Sequence, residues 1–415
     1  MTHLDLPWIR NQFPALQLRV NRRAAIFLDG PGGTQVPQRV IDAVAHYLSA
    51  CNANTHGAFA TSRHTDAVIS RARAAMANLL GCDSDEIVFG PNMTTLTFAL
   101  SRAIGRQLGA GDEVLVTKLD HDANVAPWRV LQEQGILVRE ADIRPRDCTL
   151  DMDDLARKIN PQTRVVAVGY ASNAVGTIND VTEIVRLAHA VGALAFIDAV
   201  HYAPHGPIDV RALDCDFLAC SPYKFFAPHQ GVLYGKREHL LRVRPYKVRP
   251  ASEELPERWE TGTQNHEALA GVAAAIDYLA ELGRKTFPGS SDCRSQLLAA
   301  MQAIRQYERD LVAKLIAGLL EIKGLTLYGI ADPAQFAWRT PTVSVRINGY
   351  SPRQLAERLA EQGIFVWDGN YYALGLTERL GVESDGGMLR LGLVHYNTLE
   401  EVERLLAELK KIVGG

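Results

Sequence analysis

Between about residues 35 and 235, seven short β-rich runs alternate with segments whose apolar residues recur every three or four positions, and this most limits what the chain can become. The runs are Glu86–Phe89, Glu113–Thr117, Ile136–Glu140, Arg164–Gly169, Ala193–Asp198, Phe217–Cys220 and Gly231–Tyr234. Strand and helix in strict alternation call for a mostly parallel sheet, because parallel neighbours need a crossover and a helix supplies it. The intervening HTDAVISRARAAMANLLG, TTLTFALSRAIGRQL and VTEIVRLAHAVG each carry one apolar face, as packing helices must.

The pattern then changes. Lys236–Glu260 is rich in Arg, Pro and Glu with weak periodicity and reads as an exposed connector. Two long helices are expected near Asn265–Leu282 and Cys293–Ile322. After Gly324, LTLYG, TVSVRI, SPRQLAERLAEQG, IFVW, MLRLGL and a terminal helix from Thr398 form a second α/β unit. The expectation is therefore an α/β protein. A large domain over 1–290 carries the seven-stranded sheet and an N-terminal arm that reaches the other unit; a smaller C-terminal domain covers 291–415.

Composition narrows the function classes. Hydrophobic residues make up 47% of the 415, enough for a large core. With 44 Lys plus Arg against 47 Asp plus Glu, the net charge of −3 gives no broad positive field for nucleic acid or an anionic membrane. No apolar run approaches the roughly 20 residues of a bilayer span. The start, MTHLDLPWIRNQFPAL, has Asp5 and Arg10 among its apolar residues and lacks a secretion-signal pattern. Six scattered cysteines, with no C-x-x-C pair, fit reduced thiols in the cytoplasm and suggest no metal site.

Two segments carry the chemistry. In FLACSPYKFFAPHQGVLYG an apolar strand ends in Ser221-Pro222-Tyr223-Lys224. A strand-end lysine alone is most often solvated; one held in an apolar pocket has a lowered pKa and can form an imine with a carbonyl cofactor. In ALAFIDAVHYAPH a strand places Asp198 at its C-terminal end, the edge of an open α/β sheet where ligands bind. A pyridoxal phosphate site needs such a carboxylate to keep the pyridine nitrogen protonated. Asp198 alone would read as a helix cap; paired with the later Lys224 it suggests more.

With these segments in place the chain resembles the class V aminotransferase family of fold-type I pyridoxal 5'-phosphate enzymes, and most closely its cysteine desulfurase-like branch. The likeness runs from FLDGPGGTQVP (27–37) to LRLGLVHYNTLEEVERL (389–405). It implies that Lys224 is the Schiff-base lysine, Asp198 the pyridinium partner, and His201 a contact to the phenolic oxygen. His121 in TKLDHDANVAPW matches the histidine that stacks on the ring, making His121, Lys224 and Asp198 the catalytic set. Asn173 in YASNAVGTIND matches an Asn near the cofactor and the substrate carboxylate.

By the same likeness, Thr94, Thr95 and Ser221 supply hydroxyls to the phosphate. Tyr223 stands where the desulfurases commonly have a histidine. Gly262 and Thr263, in ETGTQNHEA, resemble a loop donated across a homodimer interface. Arg390 matches the arginine that grips the substrate carboxylate, and His56 a substrate-side histidine.

One loop departs from the family. Desulfurases carry sulfur on a loop cysteine, whereas FVWDGNYYALGL has Tyr372 at about that place, and no cysteine follows Cys293. Trp367, Asp368, Asn370, Tyr371 and Tyr372 instead suggest a polar, aromatic substrate wall. The expectation is a lyase that cleaves a side-chain bond of an amino-acid-like substrate and does not form a persulfide on itself. An aminotransferase or epimerase is the alternative, and an inactive cofactor-binding regulatory protein a second.

Overall fold

A computed structural model describes residues 4–414, so the first three residues of the N-terminal segment lie outside the described residues. All seven expected strands form, as β1 (Ile87–Gly90), β2 (Glu113–Thr117), β3 (Leu137–Ala141), β4 (Thr163–Gly169), β5 (Leu194–Asp198), β6 (Phe217–Cys220) and β7 (Gly231–Gly235). They make one sheet in the order β1-β7-β6-β5-β4-β2-β3. Only β7 runs antiparallel to its neighbours. β4 to β7 are almost entirely buried, as strands covered on both faces must be, which explains their near-continuous apolar sequence.

Helices α1 (Ala60–Leu80), α2 (Met93–Gly105) and α3 (Val181–His189) occupy the three periodic segments. Each has a local reason for its end. Asn92 accepts the Thr95 N–H at the start of α2, Asp180 accepts that of Glu183 at the start of α3, and Gly81 closes α1 at a φ of 80°. The two later helices are α4 (His266–Thr286) and α5 (Cys293–Leu320), close to their expected bounds.

A second sheet of β8 (Leu325–Tyr328), β9 (Thr342–Ile347), β10 (Trp367–Gly369) and β11 (Met388–Gly392) is antiparallel, in the order β8-β9-β11-β10. The IFVW run, expected as one strand, splits in two. Ile364–Phe365 pairs in parallel with Ile26–Phe27 of the N-terminal arm, while Trp367 begins β10. Helix α5 bridges two cores: Leu297, Ala300 and Ile304 pack under the large sheet, and Val312, Leu315 and Leu319 join Ile26, Leu28, Val345 and Leu391 under the small one. No described helix is long and apolar enough to cross a membrane.

Candidate active site

Four parallel strands of the large sheet end at the same edge, and each hands its chain to a loop carrying a polar side chain. β2 leads to Asp120 and His121, β4 to Asn173, β5 ends on Asp198 and leads to His201, and β6 leads to Ser221 and Lys224. With Asn92, Thr94 and Tyr223 these residues line one cleft. The cleft lies where the physics of an open α/β sheet puts a ligand.

Lys224 is buried, and its Nζ donates to the Pro31 carbonyl of the N-terminal arm. Burial, then the nearby Arg390 charge, lower its pKa to about 7, with Asp198 acting against both. Asp198 is pushed up to about 6 by burial, while the Val200 N–H, at 2.9 Å from Oδ1, and Lys224 draw it back. Burial and the cations of Lys224 and Arg390 take His121 down to about 4. Its Nδ1 accepts the Ala123 N–H at 3.0 Å, so the neutral ring carries its proton on Nε2. Near neutrality the cleft thus holds a carboxylate, a neutral imidazole and an amine balanced between its two forms.

Whether these residues suit pyridoxal phosphate is tested by the polar atoms left over. His201 is fully enclosed; its Nε2 meets Thr340 and Thr342 at 3.1 and 3.0 Å, yet its Nδ1 has no partner, and neither has Oδ1 of Asn173. Buried polar atoms without partners are costly, and a ligand with acceptor and donor groups would satisfy them. At the far side, the Thr94 end of α2 opens toward the cleft as a set of helix N–H groups. β7 reaches this point because Gly231 has no Cβ: one would stand 2.4 Å from the Asn92 backbone. The donor set therefore fits an anionic phosphate at one end and a pyridine ring partnered by Asp198 at the other.

The expected residues fall into two groups. Thr94, His121, Asn173, Asp198, His201, Ser221 and Lys224 meet at the cleft. Arg390 borders it, donating to the Asn173 carbonyl at 2.9 Å. Tyr372 is 72% exposed and stacks on His121 with ring centroids 5.3 Å apart. Thr95 does not line the cleft; its N–H and hydroxyl both go to Asn92 Oδ1, at 2.8 and 3.0 Å. His56, Gly262 and Thr263 line a separate surface cavity, beside the Arg73–Glu260 ion pair of 2.5 Å.

Sequence reasoning missed Asn92, and it missed Asp120. Asp120 is buried and takes the Gly169 N–H and the Asn124 amide, each at 2.9 Å, so it holds the loop that presents His121 against β4. Its position directly before His121 was visible, but its bonding partner 49 residues away was not. No cysteine lines the cleft among the described residues.

The chain matches the family described as Aminotransferase class-V over residues 26–405. A protein named cysteine desulfurase from Yersinia pestis is 31% identical over 97% of both chains. One of the same name from Synechococcus elongatus is 32% identical over 99% of this chain, which spans 64% of that protein's length. Among solved structures, the apo cysteine desulfurase of Thermococcus onnurineus superposes with a TM-score of 0.88 at 27% identity, covering 100% of this chain and 99% of that one. An S-sulfonic acid form of an Escherichia coli cysteine desulfurase gives 0.84 at 26% identity, covering 99% of each.

These relatives overturn the expectation of a side-chain lyase distinct from a persulfide-forming desulfurase, and they leave the transaminase, epimerase and inactive-protein alternatives with less support. The error was to let Tyr372 outweigh the remainder of the chain. The bond that breaks is chosen by how the substrate is held against the cofactor, which depends on the whole cleft and not on one exposed loop side chain.

Proposed function

The chain belongs to the class-V aminotransferase family and is a pyridoxal 5'-phosphate-dependent enzyme, and from that premise we propose that it removes sulfur from L-cysteine or a closely similar amino acid. The single observation that carries this reading is the cleft in which Lys224, Asp198 and His121 converge beside the buried Arg390.

In the mechanism, Lys224, Asp198, His201, Asn173 and the N-terminal end of α2 with Thr94 and Ser221 would hold the cofactor. When bound, it supplies an electron sink that lets bonds at Cα and Cβ of an amino acid break. Asp198, ionised near neutrality, would face the pyridine nitrogen and keep it protonated. Lys224, lowered to about 7, holds or releases a proton at Nζ, so it serves as base and acid at the substrate's α-carbon. His121 presents its Nε2 proton to the cleft, and Arg390 receives the carboxylate. A thiol acceptor takes the substrate sulfur as the Cβ–S bond breaks; the bonding pair stays with carbon, which gains a proton to give alanine.

The assembly we propose is a homodimer, in which His56, Gly262 and Thr263 of one subunit complete the other subunit's cleft. The exposed Val248, which lines the same cavity as Gly262 and Thr263, offers apolar surface for it. Six unpaired thiols support a reducing, cytoplasmic setting.

Incubating the cofactor-loaded protein with L-cysteine and dithiothreitol tests the reaction. Alanine and sulfide in equal amounts are expected. Pyruvate and ammonia without alanine, or no sulfur release, would overturn it. Sedimentation showing a fully active monomer would remove the shared-site assembly.

A further inference from the structure

The turn from Asn370 to Ala373 joins β10 to a short helix, Leu374–Arg379, and two of its residues take a backbone conformation that bulky side chains rarely adopt. Tyr371 has φ 55° and Tyr372 φ 61°, both in the left-handed region. The turn is fixed from several sides. Asn370 Oδ1 accepts the Tyr372 N–H at 3.0 Å, and its amide donates to Glu383 at 2.9 Å. The Tyr372 carbonyl accepts the Asp122 N–H at 2.7 Å, and the Tyr371 carbonyl accepts the Asn173 amide at 2.8 Å. Consecutive strained residues held this firmly mark a place where a side chain must be aimed.

Tyr371 is aimed at Arg390. The guanidinium carbon lies 4.2 Å from the Tyr371 ring centroid, and the Tyr371 hydroxyl donates to the carbonyl of Met388, two residues earlier on the strand that carries Arg390. Tyr371 is therefore tied to β11 through its hydroxyl and to Asn173 through its backbone carbonyl. Arg390 closes the circuit with its bond to the Asn173 carbonyl.

What is absent around Arg390 matters as much. Among the described residues no carboxylate lies within ion-pair distance of it; the buried Asp29, pushed up to about 6 by burial, reaches it only through its field, and the Arg390 Nε is buried without a partner. An aromatic face steadies a cation without neutralising it. A carboxylate neighbour would steady it too, but would compete with an incoming substrate for the same two N–H groups. The arrangement holds the guanidinium in place and leaves its buried Nε–H to be answered by a ligand.

We infer that Tyr371 is a positioning residue that sets Arg390 for an α-carboxylate, so that the Tyr371–Arg390 stack decides the selection of amino acids over amines. The inference rests on the reading of the cleft as an amino-acid site and is independent of which bond is cleaved.

The test uses the cofactor-loaded protein, with ligand binding followed by the visible absorbance of the cofactor. Two pairs of probes differ only in the carboxylate: L-cysteine with cysteamine, and L-alanine with ethylamine. Tyr371→Leu should weaken both amino acids about 30-fold, the worth of a desolvated cation–aromatic contact, and leave both amines within about twofold. Tyr371→Phe, which keeps the ring, should restore discrimination to near the wild-type value. In turnover, Tyr371→Leu should raise KM with little change in kcat. Should the leucine variant fail to fold or take up cofactor, Tyr371→Met carries the same expectation. Equal losses for acids and amines, or no loss for either, would overturn the assignment. A carboxylate effect with the L-alanine pair and none with L-cysteine would uphold Tyr371 while removing the desulfuration reading.

Discussion

The floor and the wall of the cleft are built by different means. The floor, Lys224, Asp198 and His121, stands on the ends of parallel strands whose positions are fixed by the large core. The wall, Tyr371, Tyr372 and Arg390, comes from an antiparallel sheet and a strained turn, joined to the floor through Asn173. Strand ends place groups where reacting atoms must be and tolerate little change. A turn can exchange its side chains while the scaffold stays the same, and the relatives share the scaffold. Changes in the floor should therefore abolish chemistry, and changes in the wall should alter selection.

The sharpest division comes from Lys224→Ala, expected to lower turnover by at least about 10³-fold while cofactor still binds through its ring and phosphate contacts. Steady-state rates with measured cofactor occupancy read this directly. Asp198→Asn removes the charge facing the pyridine nitrogen and should cost about 100-fold in kcat, accompanied by a changed cofactor absorbance.

The pH dependence of cofactor uptake sharpens the same point. Burial lowers Lys224 to about 7, so the folded amine keeps its proton below that value and is neutral above it. Uptake requires the neutral amine and should rise about tenfold per pH unit up to about 7, then level off. Asp198, raised to about 6, ionises over a neighbouring range and steepens the rise below that pH. A flat profile between pH 5 and 9 would contradict the buried, lowered amine.

The smallest effect belongs to the wall's outer residue. Tyr372 is largely exposed and its stack on His121 is worth about 0.5–1.5 kcal/mol, so Tyr372→Ala should change kcat/KM by only about two- to tenfold. A loss as large as that of Asp198→Asn would erase the distinction between floor and wall.

The sequence exposed the floor because its residues follow local rules. An apolar run ending in Asp198, and another ending in SPYK, announce strand ends, and strand ends in an alternating α/β pattern share an edge. The wall obeys contacts that spacing does not carry. Tyr371 meets Asn173 across 198 residues, and Arg390 meets the Asn173 carbonyl across 217. The pairing of Ile364–Phe365 with Ile26–Phe27 is equally remote, so IFVW read as one strand. Thr95 illustrates a local ambiguity: a hydroxyl at a helix start serves either a cap or a ligand, and here Asn92 takes it. The reaction was misjudged at the wall, where a single tyrosine in a loop carried more weight than it could bear.

These strand ends meet at one cleft, and we propose that Lys224 organises it. Borohydride reduction of the cofactor-loaded protein, followed by peptide mass analysis, tests it most directly. A pyridoxyl phosphate mass is expected on the peptide containing Lys224 and nowhere else. Modification of a different lysine, or none in protein that has taken up cofactor, would contradict it.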